Sequence, residues 1–296
     1  MSFLLEADER LGAGLERTIR EQVRKLLSER ETGQDNPSAF AHKARVRAKK
    51  IRAALRLARP LVGAKTYRKA NRWWRDAART LSGLRDAGAR LEALQALEPF
   101  LAPRIGPAMM WRLTRRFEGR HQVADASDAI AEFCSLIGSG KAPTPDMPAG
   151  SARDAIKSLT ASYRAARRTM RDALEDRTPE NLHEWRKQTK YHALQTRLMR
   201  TQFPEVLLPR LGAARDLSDV LGEVQDIEIV LEGVKGWRDA PPNFREVLSA
   251  RREQLVAEAE RAGRALFADK PRDWAGRLAM SDADSPLDPQ EEGADL

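Results

Sequence analysis

Ala, Leu, Arg and Glu fill run after run of this sequence, and apolar–polar alternation of period two is not sustained anywhere in its 296 residues. All four are good helix formers, while the β-branched and aromatic residues that favour strands are scarce. The chain is therefore confined to the all-α class. The pattern predicts helices over residues 4–30, 38–59, 65–98, 103–137, 151–176, 179–201, 205–236 and 242–268. The breaks fall at Pro37, Pro60, Pro99–Pro103, Pro179, Pro204 and Pro241–Pro242, where a missing N–H and a clashing ring disfavour a continuing helix. The stretch GSGKAPTPDMPAG (138–150), all Gly, Pro and small or polar residues, reads as a linker. It divides the chain into a front half, 1–137, and a rear half, 151–270; the acidic, proline-containing tail 281–296 reads as disordered.

Apolar residues make up 42% of the chain and charged residues 32%, a soluble globular profile, and the net charge is +9. A basic balance of this size favours polyanionic partners: nucleic acid, an anionic membrane surface or polyphosphate. No apolar run approaches the ~20 residues that span a bilayer, and MSFLLEADER has acids where a signal peptide needs a basic segment. Cys134 is the one cysteine, in the apolar run IAEFCSLI, so it reads as a small buried hydrophobe, in keeping with a reducing cytoplasm.

The charge is concentrated. Residues 42–79 hold fourteen Lys or Arg and a single acid, Asp76. On a helix turning 100° per residue, His42, Arg45, Lys49 and Arg56 share one side, flanked by Arg47, Lys50 and Arg52. Ala44, Ala48, Ile51, Leu55 and Ala58 gather on the opposite side. The next helix repeats the design, with Lys65, Arg68, Lys69, Arg72, Arg75 and Arg79 on one side and Tyr67, Trp74, Ala78 and Leu81 on the other. Solvated helix faces usually mix signs, because like charges four apart destabilise by ~0.2–0.5 kcal/mol each. Two adjacent helices with positive stripes and almost no acid are expected to face a shared concavity, where a bound anion relieves the repulsion.

The halves resemble each other. His42, Arg45 and Lys49 recur as His183, Arg186 and Lys190 at an offset of 141. Leu81, Asp86, Leu91 and Glu92 recur as Leu221, Asp226, Leu231 and Glu232 at an offset of 140. Each half should then hold about four helices around a core. In the rear half His183, Arg186, Lys190 and Arg197 share a face with Lys187 beside it, while Trp185, Thr189, His192 and Met199 lie opposite. Glu180 and Glu184 dilute the charge there.

Other residues read more plainly. His121 and His192 lack the basic context and are expected to be structural. Asp86 and Asp226 are expected to anchor a neighbouring Arg or cap a turn. Trp74 lies on the core side, and Trp73, beside many arginines, is open to packing or to stacking a base. No glycine-rich phosphate loop, metal-ligand spacing or nucleophile elbow stands out.

AHKARVRAKKIRAALRLARPL, LSGLRDAGARLEAL, NLHEWRKQTKYHAL and LGEVQDIEIVLEGV, in this arrangement, resemble the blocks of the CHAD family, the conserved histidine α-helical domain, over about residues 3–268. The resemblance implies two four-helix bundles related by a pseudo-twofold axis, with basic helices lining a positively charged surface or pore that binds inorganic polyphosphate. Some members are fused to a CYTH triphosphatase domain; this chain resembles a stand-alone member, a type associated with polyphosphate granules. The family's basic motif falls on His42, Arg45, Lys49, Arg52 and Arg56, and on His183, Arg186 and Lys190. In the second motif Tyr191-His192-Ala193 stands where another Arg-rich turn is common.

The expectation is a non-catalytic polyphosphate-binding protein without a cofactor, cytoplasmic and on polyphosphate granules, using these residues together with Arg68, Arg72, Arg75, Arg79, Lys187 and Arg197. Arg offers forked donors to phosphate oxygens and Lys a point charge. The alternative is a nucleic-acid-binding protein using the same basic surface.

Overall fold

The structure, a computed structural model, describes residues 3–29, 36–118, 126–140, 142–238, 240 and 243–281. Among them are ten α-helices and no strand. In chain order these are α1 (Leu11–Ser28), α2 (Pro37–Leu57), α3 (Arg59–Thr80), α4 (Ser82–Glu118), α5 (Ala126–Gly138), α6 (Ala152–Glu175), α7 (Pro179–Met199), α8 (Pro204–Gly233), α9 (Phe244–Leu266) and α10 (Pro271–Met280). None of them is long and apolar enough to cross a membrane. His121, Pro241–Pro242, the tail beyond Ser281 and the side chain of Asp86 lie outside the described residues.

Several prolines start helices, as their fixed φ allows in the first turn. Pro37 follows Asn36, whose side chain accepts from Ala39 N at 3.0 Å, and Pro179 follows Thr178, whose hydroxyl caps Asn181 N at 3.3 Å. Ser151 and Asp154 form a reciprocal capping box at the start of α6. Other boundaries differ from expectation. Residues 3–10 are not helical; Leu5 N instead donates to Leu198 O at 2.9 Å, tying the front of the chain to the end of α7. The helix expected over 65–98 breaks at Leu81. α4 continues through Pro99 and Pro103, both on its exposed side, and kinks at Gly106, whose φ of 76° is open to glycine. α10, which buries Trp274 and Leu278, extends the helical rear half past residue 270.

One continuous cluster of buried apolar side chains runs from Phe3 to Leu278. α2 packs on α1 and α3 and also on α6 and α7, while α4 packs along α8. Ser158 Oγ donates to Leu57 O at 2.9 Å and Gln195 Nε2 to Ala53 O at 3.2 Å, so both sides of α2's far end are held by the rear half. Residues 142–150, most of the stretch 138–150 expected to be a linker, are a strap against α1 and α3. Gly12 N donates to Ala149 O at 2.8 Å, Trp74 Nε1 donates to Pro143 O at 3.2 Å, and Met147 packs against the core.

Candidate functional site

α2 divides as its pattern requires. Ala44, Ala48, Ile51, Leu55 and Ala58 are buried, while His42 is exposed and Arg45 and Lys49 are half-buried. These three line a cavity of about 290 Å³ together with Arg186 of α7, Glu92 of α4 and Asp226 of α8. Ala89, Ala93 and Ala96 form the α4 wall, and their short side chains leave the space open. Arg186 is aimed by α8: its Nη1 donates to Gln225 Oε1 at 2.8 Å, and Gly222 beneath it leaves room for the guanidinium. Arg186 of the second basic motif thus meets His42, Arg45 and Lys49 of the first.

The two carboxylates correct one expectation. The basic face is not free of acids, because Glu92 and Asp226 reach it from distant helices. Arg47 is likewise taken up by Glu29, with Nε donating to Oε2 at 2.9 Å, which holds the Glu29 carboxyl below its usual range. Sequence spacing along α2 carries no information about acids that arrive through tertiary packing.

His183 lies beside this cavity rather than in it. It lines a neighbouring space of about 1050 Å³ of mixed sign, with Glu180, Glu228 and Glu232 facing Arg90, Lys235 and Arg245. Ala89 and Ile229 border both spaces. Desolvation lowers the His183 pKa; its Gln225 hydrogen bond opposes this, and the charges of Arg186 and Lys187 reinforce it. Gln225 therefore connects His183 to Arg186, a link that nothing in the motif spacing announces.

Beyond Lys49, the far end of α2 meets Tyr191. Arg56 stacks over that ring with its guanidinium carbon 3.9 Å from the centroid, and Arg52 lies at 5.7 Å. Arg52 Nε also donates to Asn71 Oδ1 of α3 at 3.0 Å. Tyr191, standing where the second motif departs from its pattern, is a platform for cations of the first.

The remaining candidates are dispersed. Lys190 sits 3.9 Å from Asp219, and its pKa is lowered by burial against that attraction. Lys187 pairs with Glu184, and Arg197 is exposed on α7. Arg75 donates to Asp76 Oδ1 at 2.8 Å, and Arg79 lies 3.8 Å from the same carboxylate. Arg68 and Arg72 line a different groove, of about 600 Å³, with Lys69, Trp73, Thr80 and Leu136 of α5. The two basic stripes do not share one concavity. Asn71 faces α2, so Arg72, rotated by 100° on the same helix, turns toward α5.

Five other expectations meet the structure directly. His192 is fully buried among Tyr163, Phe267 and Trp274 and is structural; Trp74 and Cys134 are buried in the core. Asp226 lines the cavity of Arg45 and Arg186. Trp73 is half-buried and lines the α3–α5 groove.

Comparison with known proteins bears on the fold and the family. The solved structure of the CHAD domain from the plant Ricinus communis superposes with a TM-score of 0.56 at 17% identity, covering 93% of this chain and 94% of that one. At that identity the match speaks for the all-α fold. A comparison with curated proteins finds no match. The family model described as CHAD domain matches residues 17–235, a span that contains the cavity lined by His42, Arg45, Lys49 and Arg186. The chain belongs to the CHAD family.

Proposed function

We propose that the protein binds inorganic polyphosphate, without hydrolysing it, in the groove between α2, α4, α7 and α8. One observation carries this reading: Arg45 and Lys49 from one helix and Arg186 from another converge with His42 on a single cavity. Membership of the CHAD family supports it. Among the described residues the cavity lining contains no Phe, Tyr or Trp for a nucleobase to stack on, whereas a bare phosphate chain needs only cations and donors. Arg52 and Arg56 continue the basic face along α2, one cation per turn or so at ~5 Å intervals. Glu92 and Asp226 line the same cavity, where their negative charge lowers the mutual repulsion of the cations. In a cell that stores polyphosphate, the protein would collect on granules of the polymer.

Titration with long-chain polyphosphate over a range of salt concentrations tests this. Counterion release predicts affinity that falls steeply with salt. Arg45→Ala with Lys49→Ala should weaken binding strongly, and incubation with polyphosphate and Mg²⁺ or Mn²⁺ should release no phosphate. Unchanged affinity in the double variant would remove this groove as the site, and phosphate release would remove the non-catalytic reading.

A further inference from the structure

We infer that the groove between α3 and α5 is a second polyanion site, suited to single-stranded nucleic acid. Among the described residues it shares no lining residue with the cavity of His42, Arg45, Lys49 and Arg186. Its lining includes Arg68, Lys69 and Arg72, all exposed, together with the half-buried Trp73 and Leu136. Asp76 also borders it, but that carboxylate is engaged by Arg75 and Arg79. What the groove presents is therefore a row of cations beside one aromatic ring.

The ring is preorganised. Trp73 packs edge-on against Trp74, with centroids 5.0 Å apart and planes at 78°, and Trp74 is itself fully buried and bonded to Pro143 O. A fixed aromatic beside phosphate-binding cations is the combination that retains single strands, because every base offers a π-face while arginines hold the backbone. Exposed cations continue to either side, from Lys65 to Arg79, a span of ~21 Å along the helix. That length suits several nucleotides rather than one. Polyphosphate would gain nothing from Trp73.

Fluorescence anisotropy on the full chain tests this, using a labelled oligodeoxynucleotide of about twelve nucleotides and an abasic strand of equal length and charge. The oligonucleotide should bind at least about fivefold more tightly than the abasic strand, and Trp73→Leu should erase that difference. Arg68→Gln with Arg72→Gln should weaken both strands about tenfold or more. Arg45→Ala with Lys49→Ala should leave oligonucleotide binding within about twofold, even where it abolishes polyphosphate binding. Equal binding of the two strands would overturn the inference. So would loss of oligonucleotide binding in the Arg45/Lys49 variant, or an effect of the Arg68/Arg72 variant confined to vesicles of anionic lipid. The Arg68 and Arg72 side chains are exposed, so that variant decides between the grooves even if Trp73→Leu fails to fold.

Discussion

The guanidinium carbon of Arg56 lies 3.9 Å from the centroid of the Tyr191 ring, joining the last turn of α2 to the middle of α7. Tyr191 is buried, and Arg56 Nε is buried with no hydrogen-bond partner among the described residues, so the π-face supplies part of the electrostatic compensation for that charge. Tyr191→Phe keeps the face and should leave stability within ~0.5 kcal/mol. Tyr191→Leu removes it and should cost about 1–2 kcal/mol in urea unfolding, and polyphosphate affinity should fall with it. Equal stabilities of the two variants would show that the stacking contributes nothing.

Arg186 and His183 are three residues apart on α7, yet only Arg186 enters the small cavity. Arg186→Ala should therefore lower polyphosphate affinity and reduce the slope of log affinity against log salt by about one. His183 has a pKa held below its usual value, chiefly by desolvation, and is neutral at pH 7.5. His183→Ala should leave affinity at that pH within about twofold. As acidification passes this lowered pKa the wild-type imidazole charges beside the groove, so acidification should strengthen binding more in wild type than in the variant. Titrations at pH 7.5 and 5 separate the two roles.

The core side of α2 and α7 was legible in the pattern: Ala44, Ala48, Ile51 and Leu55, like Trp185, Thr189, His192 and Met199, are all buried, but Ala53, Leu57 and Leu198, outside those stripes, are buried as well. A period of 3.6 reports which side of a helix meets the core. It does not report how the opposite side is shared among neighbours. Asn71 faces Arg52 while Arg72 turns to α5, and that division is set by the rotation of α3 in the packed molecule. Glu92, Gln225 and Tyr191 reach the basic face from other helices, so no local motif marks them. α10 has only Trp274 and Leu278 buried, too few apolar positions for periodicity to stand out.

His192 makes stability depend on pH. Ser162 Oγ donates to Leu159 O at 3.0 Å, which leaves its oxygen to accept from His192 Nδ1 at 3.0 Å. The other nitrogen, Nε2, is buried with no hydrogen-bond partner among the described residues, and burial with the nearby Arg210 charge pushes the imidazole pKa down to about 3. The unfolded imidazole titrates near ~6.5, so between those values the unfolded chain binds the extra proton. This contribution to stability is therefore intact above pH ~6.5 and is lost as pH falls, by up to about 1.4 kcal/mol per unit. Urea midpoints measured from pH 7.5 to 4 should fall more steeply in wild type than in His192→Leu, although the variant is less stable at pH 7.5.

Gly12 tests whether residues 142–150 act as a strap. A Cβ on Gly12 would lie 2.0 Å from Pro148 O and 2.9 Å from Met147 O, and both obstacles are backbone. The strap cannot simply lift, because Ala149 O accepts from Gly12 N and Pro143 O accepts from Trp74 Nε1. Alanine gains up to about 1 kcal/mol in helix propensity over glycine, but the clash should outweigh it and leave Gly12→Ala net destabilised by about 1–3 kcal/mol. Gly276, inside α10, has open space at the same position, so Gly276→Ala should be stabilising by about 0.5–1 kcal/mol. Opposite shifts in the urea midpoints of the two variants are the expected result. A stabilised Gly12→Ala would mean that the strap moves aside freely, and 142–150 would then be a linker after all.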